Sequence, residues 1–368
     1  MTFYINIYNS IYLYIYMENN IKASLCIGSY LDTLGFKDGM WEFNFGNDLN
    51  SLQKAILVMN EINHNYLSLG GENIDISKWK ASDDTIMMIA TKDAVKKGGG
   101  EKNYKIEYLK IYLELKKKIR GSGLSTLKSL KLLKNNKKVK YDKSMGGNGA
   151  AMRTGYIGLK YYKNSDLHKL IEESIVSSRL THNYTMGFLG GLVTAYFCSL
   201  AIKKINPFEW SKMLVKIIPE VDKYMKTTDI YDKYISDKDE FWLLWYKFNE
   251  EKINHYEFKS EEFLFGADRY NSLVEFEPSI TKENFDYSKF GASGIGATIF
   301  AYDALLMSYN FKTKKFNFNN LVYFSTLHFG DNDSTGIIAG NWYGAYLGFT
   351  DFDKNKINML EFKSKLNI

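Results

Sequence analysis

Two acidic runs hold the groups best suited to chemistry in this chain: Ser82-Asp83-Asp84-Thr85 and, far downstream, Asp331-Asn332-Asp333-Ser334-Thr335. Each stands directly before an apolar stretch with helical spacing. Ser and Asp at such places cap helices and suit the positive end of the helix dipole, so either run alone reads equally well as a cap. Two caps of this density in one chain are less easily dismissed. If the fold brings them together, carboxylates ~4 Å apart repel by roughly 4 kcal/mol at an effective dielectric of 20. Such a group demands a cation, and hard divalent ions such as Mg2+ take carboxylate and hydroxyl oxygens.

Three glycine-rich turns add a second chemistry. Gly146-Gly147-Asn148-Gly149 opens onto Ala150-Ala151-Met152-Arg153, and Phe290-Gly291-Ala292-Ser293-Gly294-Ile295-Gly296 opens onto another apolar run. A glycine turn leading into a helix offers free N–H groups to an anion, although ordinary turns look the same. Arg120-Gly121-Ser122-Gly123 is a third such turn. His182, in Arg179-Leu180-Thr181-His182-Asn183, reads as a structural histidine or one that positions substrate. His64, His168, His255 and His328 lack partners at metal-ligand spacing. Glu42 sits between aromatic residues in Asp38-Gly39-Met40-Trp41-Glu42-Phe43, as a surface glutamate or a partly desolvated carboxylate. Nucleophile-elbow, Walker and Rossmann fingerprints are missing.

The elements that must position these groups read as helices. Apolar residues recur with helical spacing over Ile21–Leu34, Asn47–His64, Ile86–Lys97, Tyr104–Ile119, Gly149–Leu159, Leu167–Leu180, Tyr184–Lys203, 208–256 and Ala297–Ser308. Alternating strands and hairpin turns do not stand out, so the spacing predicts an all-α protein, with 257–290 its least regular part. Gly336, Gly340, Gly344 and Gly348 recur at every fourth position after the second acidic run. Each glycine inside a helix costs about 1 kcal/mol relative to Ala, so the stripe predicts a neighbouring backbone in close approach.

The 368 residues, 45% of them hydrophobic, suffice for a sizeable core, and a net charge of +6 is only weak support for an anionic partner. The Lys-rich stretch 130–145 reads as a solvated helix end and loop, and a nucleic-acid partner is not expected. Cys26 and Cys198 make neither a disulfide framework nor a zinc site and suit a reducing, cytoplasmic setting. The leader 1–16, MTFYINIYNSIYLYIY, is too short to span a bilayer and lacks a basic n-region. It is expected to be a disordered extension, with the folded domain beginning at Met17.

Taken together, Met40-Trp41-Glu42-Phe43, Trp79 to Thr85, Gly147 to Arg153, Arg179 to His182, Ala301-Tyr302-Asp303-Ala304 and Phe329 to Thr335 resemble the ADP-ribosylglycohydrolase family, most closely its ADP-ribosylarginine hydrolase branch. The likeness runs over residues 17–350. It implies a single all-α orthogonal domain over 17–368 with two Mg2+ ions. Ser82, Asp83 and Asp84 would be ligands from one side, with Asp331, Asp333 and Ser334 from the other. Gly147, Asn148, Gly149, His182, Tyr287, Ser293 and Gly294 would contact ADP-ribose, and Glu42 falls at the family's gating glutamate. The implied activity is hydrolysis of the bond joining ADP-ribose to a protein side chain, most closely arginine, with water activated by Asp83, Asp84 or Glu42. One place departs from the branch, which has a Gly-His-Asp element where this chain reads Gly294-Ile295-Gly296-Ala297. That departure leaves open a hydrolase of serine-linked or O-acetyl-ADP-ribose, or a pseudoenzyme that binds ADP-ribose uncleaved. The expected partners are ADP-ribosylated proteins and ADP-ribose, and the expected state is a monomer.

Overall fold

The structure, a computed structural model, describes residues 2–43, 49–254, 267–281 and 285–367, with side chains from Met17 onward. Helices dominate it: α1 (Thr2–Phe36), α2 (Leu52–Ser68), α3 (Asp83–Lys96), α4 (Gly100–Leu115), α5 (Leu124–Lys134), α6 (Gly155–Lys160), α7 (Leu167–Arg179) and α8 (Thr185–Ile202). After them come α9 (Trp210–Lys216), α10 (Ile218–Met225), α11 (Tyr231–Phe248), α12 (Ala267–Leu273), α13 (Gly294–Met307), α14 (Phe318–Thr326) and α15 (Asn332–Leu347). The all-α expectation holds, with one correction. Tyr309 pairs with Phe316 and Asn310 with Lys315 in a two-stranded hairpin that the helical spacing did not predict.

Element boundaries are set by local chemistry. Ser51 caps α2, its Oγ accepting from the Lys54 N–H at 3.3 Å, so this helix starts later than the apolar spacing suggests. Gly98 and Gly99, between α3 and α4, and Gly100, the first residue of α4, all adopt positive φ, which stops the first helix there. Pro219 opens α10 and so divides the 208–256 stretch, because proline is tolerated only in a helix's first turn. Residues 148–153 form a 3-10 turn ahead of the short α6, where one helix was expected. Residues 2–16, expected to be disordered, are the opening turns of α1. They contain no glycine or proline that would separate them from the rest of that helix.

The core is built around α8, which is apolar on every side and buried along its whole length. It packs on α6, α7, α13 and α15. Among the described residues it is the one helix long and apolar enough to cross a membrane, and its complete burial makes it a core helix instead. The most extensive helix pair is α1 against α15. There the glycine stripe does what its spacing predicts. A Cβ on Gly344 would lie 2.5 Å from the Ala23 carbonyl carbon and Ser24 N, and one on Gly340 would lie 3.0 Å from Gly28 Cα. Ser24 Oγ and Asn20 Nδ2 donate across the seam to the carbonyls of Asn341 and Ala345 at 2.8 and 2.9 Å. Gly348 belongs to a different feature: with φ of 66° it ends α15.

Candidate active site

The two acidic runs meet. Ser334 Oγ, in the first turn of α15, donates to Asp84 Oδ2 in the first turn of α3 at 2.9 Å, across 250 positions of sequence. Both runs are also caps. Ser82 Oγ accepts from the Asp84 N–H at 3.0 Å, and Asp331 Oδ1 accepts from the Ser334 N–H at 3.3 Å. Asp333 Oδ1 takes the same Ser334 N–H at 2.9 Å. Capping and chemistry therefore are not alternatives here: the caps fix the direction of each carboxylate.

Two further carboxylates complete the cluster. Asp32 projects from α1, and Ser82 Oγ donates to its Oδ1 at 2.5 Å. Glu42 comes from the loop after α1, which is stitched to the second acidic run. The Phe43 N–H donates to Gly330 O at 2.8 Å, and Asn332 Nδ2 donates to Trp41 O at 2.9 Å. Glu42 is thus buried rather than a surface glutamate. Gly121, from the third glycine turn, stands beside it, and a Cβ there would lie 2.9 Å from Glu42 Oε2. Ligand oxygens of Asp32, Asp84 and Asp333 lie within 4.8 Å of one another, as do those of Glu42, Asp331 and Asp333.

Burial pushes the protons of all six carboxyls toward higher pH. Asp32 rises to about 7, through desolvation and then the negative charge of Asp333. Asp331 rises to about 6, burial outweighing the hydrogen bonds from Asn148 and Ser334 that favour its anion. Glu42, Asp83, Asp84 and Asp333 are raised well above the usual carboxylate range, burial first and neighbouring carboxylates next. Among the described residues no lysine or arginine makes an ion pair with any of the six. Among the described residues, buried Asp32 Oδ2 and Glu42 Oε2 meet no hydrogen-bond partner. An all-oxygen donor set with surplus negative charge and unpartnered acceptors fits hard divalent cations, so these clusters could hold metal ions.

The first two glycine turns join beside the cluster. Gly147 bridges Ser293, and the Asn148 N–H donates to Ala292 O at 3.0 Å. The Gly294 N–H donates to Gly146 O at 2.9 Å. Asn148 Nδ2 then reaches both Gly291 O at 2.7 Å and Asp331 Oδ2 at 2.6 Å, tying the glycine floor to the carboxylates. His182 backs this floor. A Cβ on Gly149 would lie 2.5 Å from its Cε1, so only glycine fits. Burial lowers His182 to about 3, keeping it neutral, and its Nδ1 meets Thr181 Oγ1 at 2.8 Å. Ser293 caps α13. Tyr287 is buried edge-on against Phe329, beside the second acidic run. A cavity of about 350 Å3 opens over the joined turns, lined by Gly146, Gly147, Ala292, Ser293, Tyr184 and Met186. A larger one, about 740 Å3, lies at the opposite ends of α13 and α15, away from the carboxylates.

The two acidic runs, Glu42, the glycine turns, His182 and Tyr287 thus lie at or against one place in the fold, whereas His255 lies outside the described residues. Asp32 was missed. It lies inside an apolar helical run, and its one signal was a carboxylate where the helix face is otherwise hydrophobic.

The helical fold and its crowded carboxylates define a class: an all-α protein built around a buried acidic centre. Comparison with known proteins narrows it. The ADP-ribosylglycohydrolase profile matches residues 29–367. The chain is 33% identical over 377 aligned positions to ADP-ribosylhydrolase ARH1 of Dictyostelium discoideum, covering 94% of this chain and 91% of that protein. It is 30% identical to a putative ADP-ribosyl glycohydrolase of Acanthamoeba polyphaga mimivirus, covering 92% of this chain and 66% of the viral protein. A solved structure described as an ADP-ribosylglycohydrolase-related protein complex shares the fold, with a TM-score of 0.54, 15% identity and 95% of each chain covered. The chain belongs to the ADP-ribosylglycohydrolase family and is a glycosidase of that family.

Proposed function

We propose that this protein releases ADP-ribose from modified arginine side chains, with two Mg2+ ions as cofactors. The observation that carries the reading is the Ser334–Asp84 contact, which closes two distant acidic runs into one centre. Asp32, Asp84 and Asp333 would hold one ion and Glu42, Asp331 and Asp333 the other, with Asp83, Ser82 and Ser334 at the same helix starts. Bound there, the cations would orient the ribose hydroxyls and offset charge as the glycosidic bond breaks.

The protein's own groups do the rest. The turns at 146–149 and 291–294 hold the ADP portion, with neutral His182 behind them and Tyr287 at the rim. This places the anomeric carbon of the distal ribose over the carboxylates. A water oxygen bonds to that carbon while its bond to the side-chain nitrogen breaks. One proton of the water passes to a carboxylate and from there to the leaving nitrogen. Asp84 Oδ2 is already engaged by Ser334, so it serves as a ligand. Of the two Glu42 oxygens, one would serve its ion and the other, Oε2, which meets no partner among the described residues, would take the proton, with Asp83 beside it. We further place the protein as a cytoplasmic monomer, a setting that suits two buried, unpaired cysteines.

The test is release of free ADP-ribose by the purified full chain from arginine-linked, serine-linked and O-acetyl-ADP-ribose, with Mg2+ and with a chelator. Arginine-linked substrate should be cleaved fastest, and chelation should abolish turnover. Faster release from another linkage would move the substrate assignment. Binding without release from all three would overturn the hydrolase reading.

A further inference from the structure

Glu277 lies in the irregular stretch before α13 and touches none of the six carboxylates. It is almost wholly buried. Its Oε1 accepts from the Ser279 N–H at 3.2 Å and the Ser279 hydroxyl at 2.6 Å. Its Oε2 accepts from the Gly291 N–H at 3.2 Å and the Ser293 N–H at 3.3 Å. A Cβ on Gly296 would lie 1.9 Å from that same oxygen, so the glycine at 296 is what leaves room for it.

The two N–H groups held by Oε2 belong to peptide planes whose carbonyls point the other way, into the site. The plane that carries the Gly291 N–H also carries the Phe290 carbonyl, which accepts from the Asp331 N–H at 2.8 Å. The plane that carries the Ser293 N–H also carries the Ala292 carbonyl, which accepts from the Asn148 N–H at 3.0 Å. One carboxylate oxygen thus fixes, through two rigid peptide groups, the backbone at Asp331 and at Asn148. Those two residues are then joined directly by Asn148 Nδ2 and Asp331 Oδ2. A peptide whose N–H is bonded to a carboxylate is also a stronger acceptor at its carbonyl, so the chain of bonds reinforces itself.

We propose that Glu277 is a positioning residue that sets the aim of Asp331 toward a bound cation, acting through the Phe290–Gly291 and Ala292–Ser293 peptides. The proposal rests on the metal-centre reading above. Outer residues that orient a ligand typically change metal affinity 10–100-fold when lost.

The test is Mg2+ titration by calorimetry of the cation-free full chain. Glu277→Gln keeps the side chain's size, but its amide can offer an acceptor to the Ser279 pair or to the two loop N–H groups, not to both. It should bind Mg2+ roughly tenfold or more weakly than wild type. In an Asn148→Ala background the same change should have a smaller effect, because one of its two routes to Asp331 runs through Asn148 Nδ2. A residue that merely holds the loop together would lower the melting temperature and leave the Mg2+ affinity alone. That outcome overturns the proposal, and equal effects in both backgrounds overturn its Ala292–Ser293 arm. If Glu277→Gln does not fold, Glu277→Asp replaces it, and an unchanged Mg2+ affinity in that variant is equally fatal. Should wild type bind no divalent cation, the metal-centre reading falls and takes the proposal with it. Wild-type binding with an indifferent Glu277 variant removes the proposal alone.

Discussion

Asp303 and Asp333 are both buried carboxylates on neighbouring core helices, each only 2% exposed, and both lie in segments that resemble the family. Their surroundings are opposite. Asp303 Oδ2 accepts from Arg269 Nε and Nη2 at 2.7 and 2.6 Å, and that guanidinium lies over the rings of Tyr270 and Phe324. Asp333 faces Asp32, Asp84, Asp331 and Glu42, with no guanidinium or ammonium in contact among the described residues. Burial of an acid is therefore no mark of a site, since a matched counter-charge makes it part of the scaffold. Burial of several acids without one leaves surplus negative charge, a setting that could hold a cation.

Substitutions should separate the two cases sharply. Asp333→Asn or Asp84→Asn should cut hydrolysis on the order of 10^3-fold, about 4 kcal/mol of transition-state stabilisation. Neither should lower the melting temperature of the cation-free protein, because each removes one of several repelling charges. Arg269→Met should do the reverse. It strands Asp303 and should cost about 3–5 kcal/mol of stability, read by denaturant unfolding. Arg269→Met with Asp303→Leu should recover most of that loss, since apolar side chains can replace a buried ion pair. A stability loss at Asp333 and none at Arg269 would break the comparison.

Cation binding should sharpen it next. At 100 times its dissociation constant, a ligand that binds only the folded state adds about 2.7 kcal/mol. The size should depend on pH, with a definite sign. Asp32 and Asp331 titrate at about 7 and 6 in the folded chain against 3.8 for the ordinary group. A raised folded value means stability that is fully present below the unfolded value and is lost as pH climbs through 6 to 7. Mg2+ relieves the repulsion that appears in that window and competes with protons below it. The Mg2+-induced rise in melting temperature should thus be larger at pH 8 than at pH 5. An equal rise at both would mean that the cation binds elsewhere.

Legibility from sequence divided along the same line. The two acidic runs were readable because each concentrates its message in a few adjacent positions, with the cap, the carboxylates and the helix start together. Gly336, Gly340 and Gly344 were readable because a glycine stripe inside a helix has few explanations beyond close packing. Asp32 was hidden because the helix around it reads as plain core, and nothing local says that its neighbours will be Ser82 and Asp333. Arg269 and Glu277 were hidden for a related reason. They sit in the stretch of weakest periodicity, and their partners, Asp303 and the 291–293 peptides, are set by tertiary packing alone. The linear pattern yields a group's own chemistry, whereas counter-charges and supports come from the fold.

The smallest expected effect tests how the scaffold holds the charged end together. Asp32 and Asp333 lie toward the same end of the α1–α15 seam, and Gly344 lies further down it, about 16 Å along α15 from Asp333. Gly344→Ala puts a methyl 2.5 Å from backbone atoms of Ala23 and Ser24, which cannot rotate aside. Overpacking of this kind costs about 1–3 kcal/mol, against about 1 kcal/mol gained from helix propensity. The net should be a loss of up to about 2 kcal/mol in denaturant unfolding. Gly123→Ala is the control: no atom of the described residues lies within 4 Å of its Cβ position and its φ is negative, so it should cost less than about 1 kcal/mol. The informative reading is Mg2+ affinity. If the seam sets the distance between Asp32 and Asp333, then wedging it open weakens cation binding several-fold even though no ligand is touched. If stability falls while Mg2+ affinity holds, the helix starts are fixed by their own caps and by the Ser334–Asp84 contact, and the seam serves packing alone.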